Sequence, residues 1–148
     1  MNTLEINKDF LDSLFAKAME NPRLRHNYDL RTSAEDKSQR MLNALLPGTD
    51  VAIHRHPNSS ESVICLCGRM DEVIYEEVVS YHQDAGDTIR KVSYQEIERI
   101  HLCPENGDFA CQVPKGAWHT VEVFEPSVIF EAKDGAYGKD GSEILRTT

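Results

Sequence analysis

Residues 48–68 read GTDVAIHRHPNSSESVICLCG and place two histidines and a glutamate between two glycines. Successive side chains of a β-strand point to opposite faces, so His54 and His56 face the same way, with Cα atoms roughly 6–7 Å apart. Residues 57–60, PNSS, have the composition of a turn that returns the chain to begin a new strand at Glu61. This spacing predicts that all three side chains face one point.

A second segment supplies a fourth polar side chain from far along the chain. Residues 114–119 read PKGAWH, in which Pro114 and Gly116 shape a turn before His119. Three imidazole nitrogens and one carboxylate suit Zn, Fe, Ni or Mn, with coordination positions left for water or substrate. We therefore predict a site for one divalent transition metal, held by His54, His56, Glu61 and His119.

Both segments resemble the two conserved motifs of the cupin superfamily. Residues 48–68 match the first cupin motif at every defining position. Residues 107–123, GDFACQVPKGAWHTVEV, resemble the second, with one extra residue between Gly107 and Pro114 and with Val123 where many cupins have asparagine. Neither departure removes a metal ligand.

The chain more narrowly resembles the WbuC family of cupin-fold metalloproteins. The resemblance covers most of the chain and rests on five segments, which are residues 21–49, 54–57 (HRHP), 105–107 (ENG), 114–123 (PKGAWHTVEV) and 129–137 (IFEAKDGAY). It implies a small metal-binding β-barrel linked to the synthesis of bacterial surface polysaccharide, the O-antigen. It does not define a reaction.

Length and composition indicate one domain of ordinary globular type. A chain of 148 residues matches the size of a single domain. Its 16 basic and 25 acidic residues give a net charge of −9, which argues against nucleic acid as a partner. Neither a secretory signal nor an apolar run of about 18 residues stands out, so we expect no membrane segment and a cytoplasmic location. The four cysteines are then expected to be reduced thiols.

Hydrophobic periodicity predicts one helix followed by many short strands. The helix covers residues 7–21, an ordered arm or loop covers 22–40, and a long hairpin loop covers 80–96. The predicted strands are 41–46, 51–56, 62–68, 71–79, 97–103, 109–113, 118–124 and 127–133. We expect a mainly all-β fold, a single cupin-type β-barrel (double-stranded β-helix, or jelly roll) with the α-helix packed outside. Residues 1–148 then form one cupin domain, with 1–40 as helix and arm and 41–133 as the barrel.

Four charged residues outside the metal motif are candidates for substrate binding. Arg25 and Arg40 lie in an acidic chain, and they either form local ion pairs or meet a phosphate or carboxylate at the barrel mouth. Glu131 and Lys133 share one face of the last predicted strand, either as an exposed pair or inside the pocket.

Other residues of the motif region receive structural interpretations. Strand alternation predicts that Cys65 and Cys67 face the same side as Glu61, as small buried groups lining the barrel. Trp118 is expected to face away from the metal and to serve in packing.

Three functions remain open at this point. A metal that polarises a carbonyl or hydroxyl oxygen supports isomerisation or epimerisation of a saccharide or sugar-nucleotide intermediate, the saccharide being implied by the family resemblance. An Fe(II)-dependent dioxygenase acting on a small substrate is the first alternative, and a non-enzymatic, metal-dependent ligand-binding module is the second. The expected partners are a small molecule such as a sugar and a second copy of the chain in a homodimer, because paired or covered sheet edges avoid aggregation.

Overall fold

One helix packs on the outside of a curled β-sheet in this computed structural model, which describes residues 2–135 and 141–145. Helix α1 spans Lys8–Glu20, and the side chain of Asn7 caps it by accepting a hydrogen bond of 2.9 Å from the Phe10 amide. Its buried residues Leu14 and Ala18 contact an apolar cluster on the outer face of the sheet. The prediction of a cupin-type barrel with a helix outside is confirmed.

Eight strands form this sheet within the described part of the chain. They are β1 (Arg25–Asp29), β2 (Ser38–Leu45), β3 (His54–Arg55), β4 (Glu61–Asp84), β5 (Asp87–Leu102), β6 (Ala110–Val113), β7 (Trp118–Asp134) and β8 (Glu143–Ile144). Strand β7 pairs with β2, β3 and β4, and β4 also pairs with β5 and β6. All of these pairings are antiparallel. Strands β4 and β7, which pair with each other and with four further strands between them, therefore hold the barrel together.

A sharp bend in the β4–β7 ladder sets the positions of the site residues. Ser62 lies opposite Ala132 at one end of the ladder, and Tyr75 lies opposite Trp118 at the other. Three register shifts between Cys65 and Met70 interrupt the pairing, and such bulges bend the strand that carries them. The bend brings the first residue of β4 back toward the beginning of β7.

Gly68 makes this bend possible because it has no side chain. Its φ is +96°, a left-handed value that other residues rarely adopt. A Cβ atom at this position would lie 2.3 Å from the carbonyl oxygen of Pro126 and 2.3 Å from Oγ of Ser127. The two strands thus approach each other too closely at this point for any larger residue.

The two faces of the sheet carry different buried clusters. Inside the barrel, the core contains Leu45, Val63, Cys65, Met70, Ile74, Leu102, Val113 and Ile129. The outer cluster, which α1 covers, contains Leu14, Ala18, Leu42, Ala44 and Val128. Along β2, the residues with the same parity as Leu45 therefore face the interior, whereas Arg40 shares the outer face with Leu42.

Several predicted boundaries are wrong, and the largest error concerns residues 80–96. They form a two-stranded ribbon and not a loop, because Ala85 and Gly86 both have positive φ, as in the tight turns that connect antiparallel strands. Every residue from Ser80 to Lys91 is exposed, so no buried face produced an alternating pattern in the sequence.

Other predicted strand boundaries differ less from those in the structure. Strand β1 lies within the predicted arm of residues 22–40, and β2 begins at Ser38. The predicted strand 51–56 shrinks to β3, since Val51 and Ile53 direct their carbonyl groups to Thr120 and Leu145. Predicted strands that were separate in the sequence merge into β4 and β7, which continue through their bulges. No helix in the described part of the chain is long and apolar enough to span a membrane.

Candidate metal centre

The three predicted histidines meet inside the barrel. His54 lies opposite His119 in the β3–β7 pairing, and His56 follows directly after β3. One ligand atom from each of the three lies within 4.8 Å of the others. The ring centroids of His54 and His119 are 4.2 Å apart, and those of His56 and His119 are 5.3 Å apart. The fold therefore assembles a cluster of three imidazoles.

Hydrogen bonds to the backbone orient two of these rings. Nδ1 of His54 lies 2.9 Å from the carbonyl oxygen of Ala52, and Nδ1 of His119 lies 2.9 Å from that of Ala117. A carbonyl oxygen can only accept, so both Nδ1 atoms must carry a proton and donate it. In the neutral ring Nε2 is then a bare lone pair, which is the form that binds a metal.

The third ring is held by a side chain from near the end of the described chain. Nδ1 of His56 lies 2.7 Å from Oγ of Ser142. A hydroxyl group can donate or accept, so this contact fixes the ring orientation without fixing its tautomer. All three histidines thus use Nδ1 for an outer contact.

Glu61 completes the cluster from the start of β4. Its Oε2 lies 3.1 Å from Nε2 of His56, and its Oε1 lies 3.6 Å from Nε2 of His119. Burial acts to raise the pKa of Glu61, but hydrogen bonds and charge from His119 and His56, when these rings carry a proton on Nε2, outweigh it and hold that pKa at about 2. Glu61 is therefore a carboxylate at neutral pH.

This arrangement meets the requirements of a bound cation. A bare Nε2 lone pair that faces a carboxylate is repulsive, so a proton or a metal ion is needed between His119 and Glu61. Burial, together with the neighbouring His119, lowers the pKa of His54 to about 4, so its imidazole is neutral near pH 7 and ready to coordinate. The donor set of three nitrogens and one oxygen fits Zn, Fe, Ni or Mn without selecting one of them.

Glu131 and Lys133 face the barrel interior, which the sequence had left open. Glu131 lies opposite Val63 of the interior core, and Lys133 is buried and donates to the carbonyl oxygen of Gly135 at 3.1 Å. Burial and the charge of Glu61 raise the pKa of Glu131 to about 8, although Asn43 donates a hydrogen bond to it. The interior next to the histidines is thus polar and acidic.

The two arginines occupy other surroundings. Arg40, on the outer face of β2, forms an ion pair of 2.6 Å with Asp36. Nη1 of Arg25 donates to the carbonyl oxygen of Asp50 at 2.9 Å. The Arg40–Asp36 pair is the kind of local ion pair that was one of the two interpretations, whereas Arg25 contacts a backbone carbonyl group. Binding of substrate by either arginine stays a prediction.

Glu72 is a buried acid that the sequence interpretation missed. Only 1% of this residue is exposed, and its Oε2 has no hydrogen-bond partner among residues 2–135 and 141–145. Burial, followed by the charges of Glu61 and Glu131, raises the pKa of Glu72 well above its usual range. The available signal was its position between Met70 and Ile74, where strand alternation places a carboxyl group on an apolar face.

We expect Glu72→Gln to stabilise the metal-free protein by about 1–3 kcal/mol at pH 8, because a buried carboxylate without full hydrogen bonding opposes folding. A folded-state pKa above the unfolded value means that the native state binds more protons, so stability falls as pH rises above the unfolded pKa. The stability that Glu72→Gln gains over the parent chain should accordingly be smaller at pH 5 than at pH 8.

Urea denaturation of both chains in chelator at the two pH values measures this difference. The exposed Glu76, on the same strand, provides a matched control in Glu76→Gln. An equal effect of the two substitutions, or a gain that is larger at pH 5, would contradict the burial argument.

The cysteines and Trp118 separate across the sheet. Cys65 belongs to the interior core, but Cys67 packs against the outer cluster, so the prediction that both line the barrel is wrong for Cys67. The register shift between Cys65 and Cys67 breaks the alternation. Trp118 faces away from the cluster as predicted, donating to Glu77 at 3.1 Å beneath the guanidinium of Arg55. All four cysteines are free thiols.

Comparison with known proteins gives a family and a fold. A family model described as "Domain of unknown function (DUF6016)" matches residues 6–86. No curated protein matches the chain. The family match makes no assignment to the WbuC family, so that finer resemblance stays a proposal.

Three solved structures share the fold at low identity. A structure of DMSP lyases matches with a TM-score of 0.56 and 14% identity, over 83% of this chain and 53% of that one. Oxalate oxidase with the substrate analogue glycolate matches with a TM-score of 0.51 and 13% identity, over 84% of this chain and 57% of that one. CapF with the inhibitor 3-isopropenyl-tropolone matches with a TM-score of 0.50 and 13% identity, over 82% of this chain and 32% of that one. The chain spans between about a third and just over half of these structures, and the likeness establishes the cupin fold alone.

Proposed function

The chain belongs to the DUF6016 family, a domain of unknown function. We propose that it is a divalent-metal cupin acting on a saccharide or sugar-nucleotide intermediate of bacterial surface-polysaccharide synthesis. The observation that carries the metal part is the convergence of three histidine ligand atoms within 4.8 Å, beside the carboxylate of Glu61. The saccharide part rests on the sequence resemblance to the WbuC family. Cytoplasmic location and a homodimer stay predictions.

The metal ligands would be His54, His56, Glu61 and His119. A divalent ion held by them supplies Lewis-acid polarisation of a substrate carbonyl or hydroxyl oxygen. The outward hydrogen bonds of His54 and His119 to backbone carbonyl groups keep their Nε2 atoms directed at the centre. The low pKa of Glu61 keeps it anionic, so it helps to neutralise the ion.

Two carboxyl groups in the interior are candidates for moving a proton. Glu131 has a pKa of about 8, close to the pH at which an acid or base catalyst works best. Glu72 is fully buried and has a raised pKa. Isomerisation or epimerisation of a sugar breaks a C–H bond next to a carbonyl, leaves the proton on such a carboxylate and returns a proton to carbon, with no co-reactant consumed.

Deuterium exchange tests this function directly. Protein loaded separately with Zn, Ni, Mn or Fe(II) is incubated in D2O with a panel of hexoses and nucleotide sugars, and NMR measures loss of C–H signals. We expect exchange in the parent chain and a loss on the order of a hundredfold in Glu131→Gln with unchanged metal content. Glu76→Gln, at an exposed position, is the control.

Other outcomes would assign the site differently. Oxygen uptake that requires Fe(II) and substrate, without C–H exchange, would identify a dioxygenase and overturn the isomerase proposal. Binding of sugar to the metal-loaded protein without any turnover would identify a ligand-binding module.

A further inference from the structure

Among the described residues, three buried side-chain oxygen atoms inside or lining the barrel have no hydrogen-bond partner. They are Oε1 of Gln39, Oδ1 of Asn43 and Oε2 of Glu72. Gln39 is 2% exposed and Glu72 is 1% exposed. Burial of a polar atom without a partner costs free energy, so such atoms are rare in the interior of folded proteins. Their presence in one compartment indicates that a donor from outside the chain completes them.

The register of the sheet places Gln39 close to the metal centre. Gln39 lies opposite Lys133 in the β2–β7 pairing. Ser62 lies opposite Ala132, so Glu61, one residue earlier, is the lateral neighbour of Lys133. Gln39, Lys133 and Glu61 thus form a row across three adjacent strands, in which directly opposed side chains are about 5 Å apart.

Asn43 continues this polar surface along β2. It lies on the same face as Gln39, opposite Ile129 of the interior core. Its side chain donates a hydrogen bond to Glu131, which directs the amide nitrogen to that carboxyl group and leaves Oδ1 as the acceptor without a partner. The charge of Glu131 in turn acts on Glu72, which links the β2 surface to the third unpartnered oxygen.

The chemistry of these atoms selects the kind of ligand. The amide oxygens of Gln39 and Asn43 accept hydrogen bonds and cannot donate them. Glu61 adds a further acceptor next to this surface, and an ionised phosphate or carboxylate has no proton to donate to such acceptors. A ligand with several O–H donors and no charge satisfies them.

We propose that the inner face of β2 and β7, around Gln39 and Asn43, is a subsite for the hydroxyl groups of a neutral polyhydroxylated ligand bound next to the metal. This inference rests on the proposed function and extends it, since it assigns the hydroxyl-bearing part of the substrate, and not a phosphate or carboxylate, to this surface. Gln39 and Asn43 act as specificity-determining residues that touch the ligand. Glu61, which contacts His56 and His119, lies on the other side of Lys133 from Gln39.

Two probes separate the subsite from the metal centre. Sorbitol carries hydroxyl groups alone, whereas oxalate is a chelating dianion that binds an open metal position. With the Co(II)-loaded protein, paramagnetic relaxation of sorbitol protons gives the Kd of the polyol, and the visible spectrum of Co(II) gives that of oxalate. We expect Gln39→Met to weaken sorbitol about tenfold, because a lost hydrogen bond leaves a ligand hydroxyl unpaired. Oxalate affinity and metal content should stay unchanged.

Matched variants guard against a folding defect. Asn43→Ala is expected to weaken sorbitol similarly, and Gln95→Met, at an exposed position of the ribbon, should have no effect. Failure to bind Co(II) or oxalate would overturn the proposed metal function. Binding of oxalate without sorbitol, or sorbitol binding that neither variant weakens, would overturn the subsite alone and identify these oxygens as partners of interior water only.

Discussion

Replacing His119 with alanine will produce a folded protein whose affinity for divalent metal is lower by on the order of a hundredfold or more. His119 is 1% exposed, so solvent is poorly placed to replace its Nε2 as a ligand. A metal that binds only the native state stabilises it by mass action. At a metal concentration of 100 Kd the parent chain should gain about 2.7 kcal/mol of stability, and chelator should remove this gain. At the same metal concentration, which is at most about the Kd of the variant, chelator should remove no more than about 0.4 kcal/mol from His119→Ala.

Metal content by plasma mass spectrometry and Tm with and without chelator measure both effects. The control is His82→Ala, because His82 is exposed on the ribbon outside the barrel. Metal content and Tm in His119→Ala that match those of the parent chain would refute the assignment of the site.

Gly68→Ala is expected to destabilise the protein by about 2–5 kcal/mol and to lower metal affinity although Gly68 is not a ligand. The left-handed φ costs about 1–2 kcal/mol for alanine, and overpacking in a core costs typically 1–3 kcal/mol more. The new Cβ would overlap the carbonyl oxygen of Pro126, so the ladder must open at its bend. Glu61 would then move away from His119, since the bend is what brings the two ends of the ladder together.

Gly107→Ala is the control for Gly68→Ala, because it introduces similar backbone strain without a close contact between the new Cβ and another strand. Gly107 has a φ of +85°, but a Cβ at this position meets no atom within 4 Å. We expect a loss of only about 1–2 kcal/mol and unchanged metal content, because backbone strain is the one cost that remains. Urea denaturation and metal analysis of the two variants give the comparison. Equal destabilisation in both would show that contact with β7 at Gly68 does not shape the barrel.

Much of the candidate site follows from local spacing. His54, His56 and Glu61 lie within eight consecutive residues, where strand alternation and one turn are enough to predict a common direction. The helix could also be predicted from the sequence, because its capping residue and its apolar stripe are both local features. Such features depend only on residues that are close in the chain, so the sequence is enough to predict them.

The parts that could not be predicted depend on long-range pairing. The inward position of Glu131 and the outward position of Cys67 follow from the β4–β7 register and its bulges, which alternation within one strand does not reveal. Glu72 was overlooked because its strand was assigned without knowing which face would be buried. The ribbon of residues 80–96 lacked a signal because its strands have no apolar face to bury.

The sequence by itself determined which side chains can hold a metal, since residue type and spacing define the donor atoms and their local direction. Tertiary structure decided how His119 reaches Glu61, because the pairing of β4 with β6 and with β7 brings the beginnings of two distant strands together. It also decided that the interior beside the metal centre is polar, because pairing of β2 with β7 sets Gln39 next to Lys133. The physical reason is that donor chemistry is a property of single residues, whereas a closed compartment is a property of strand register.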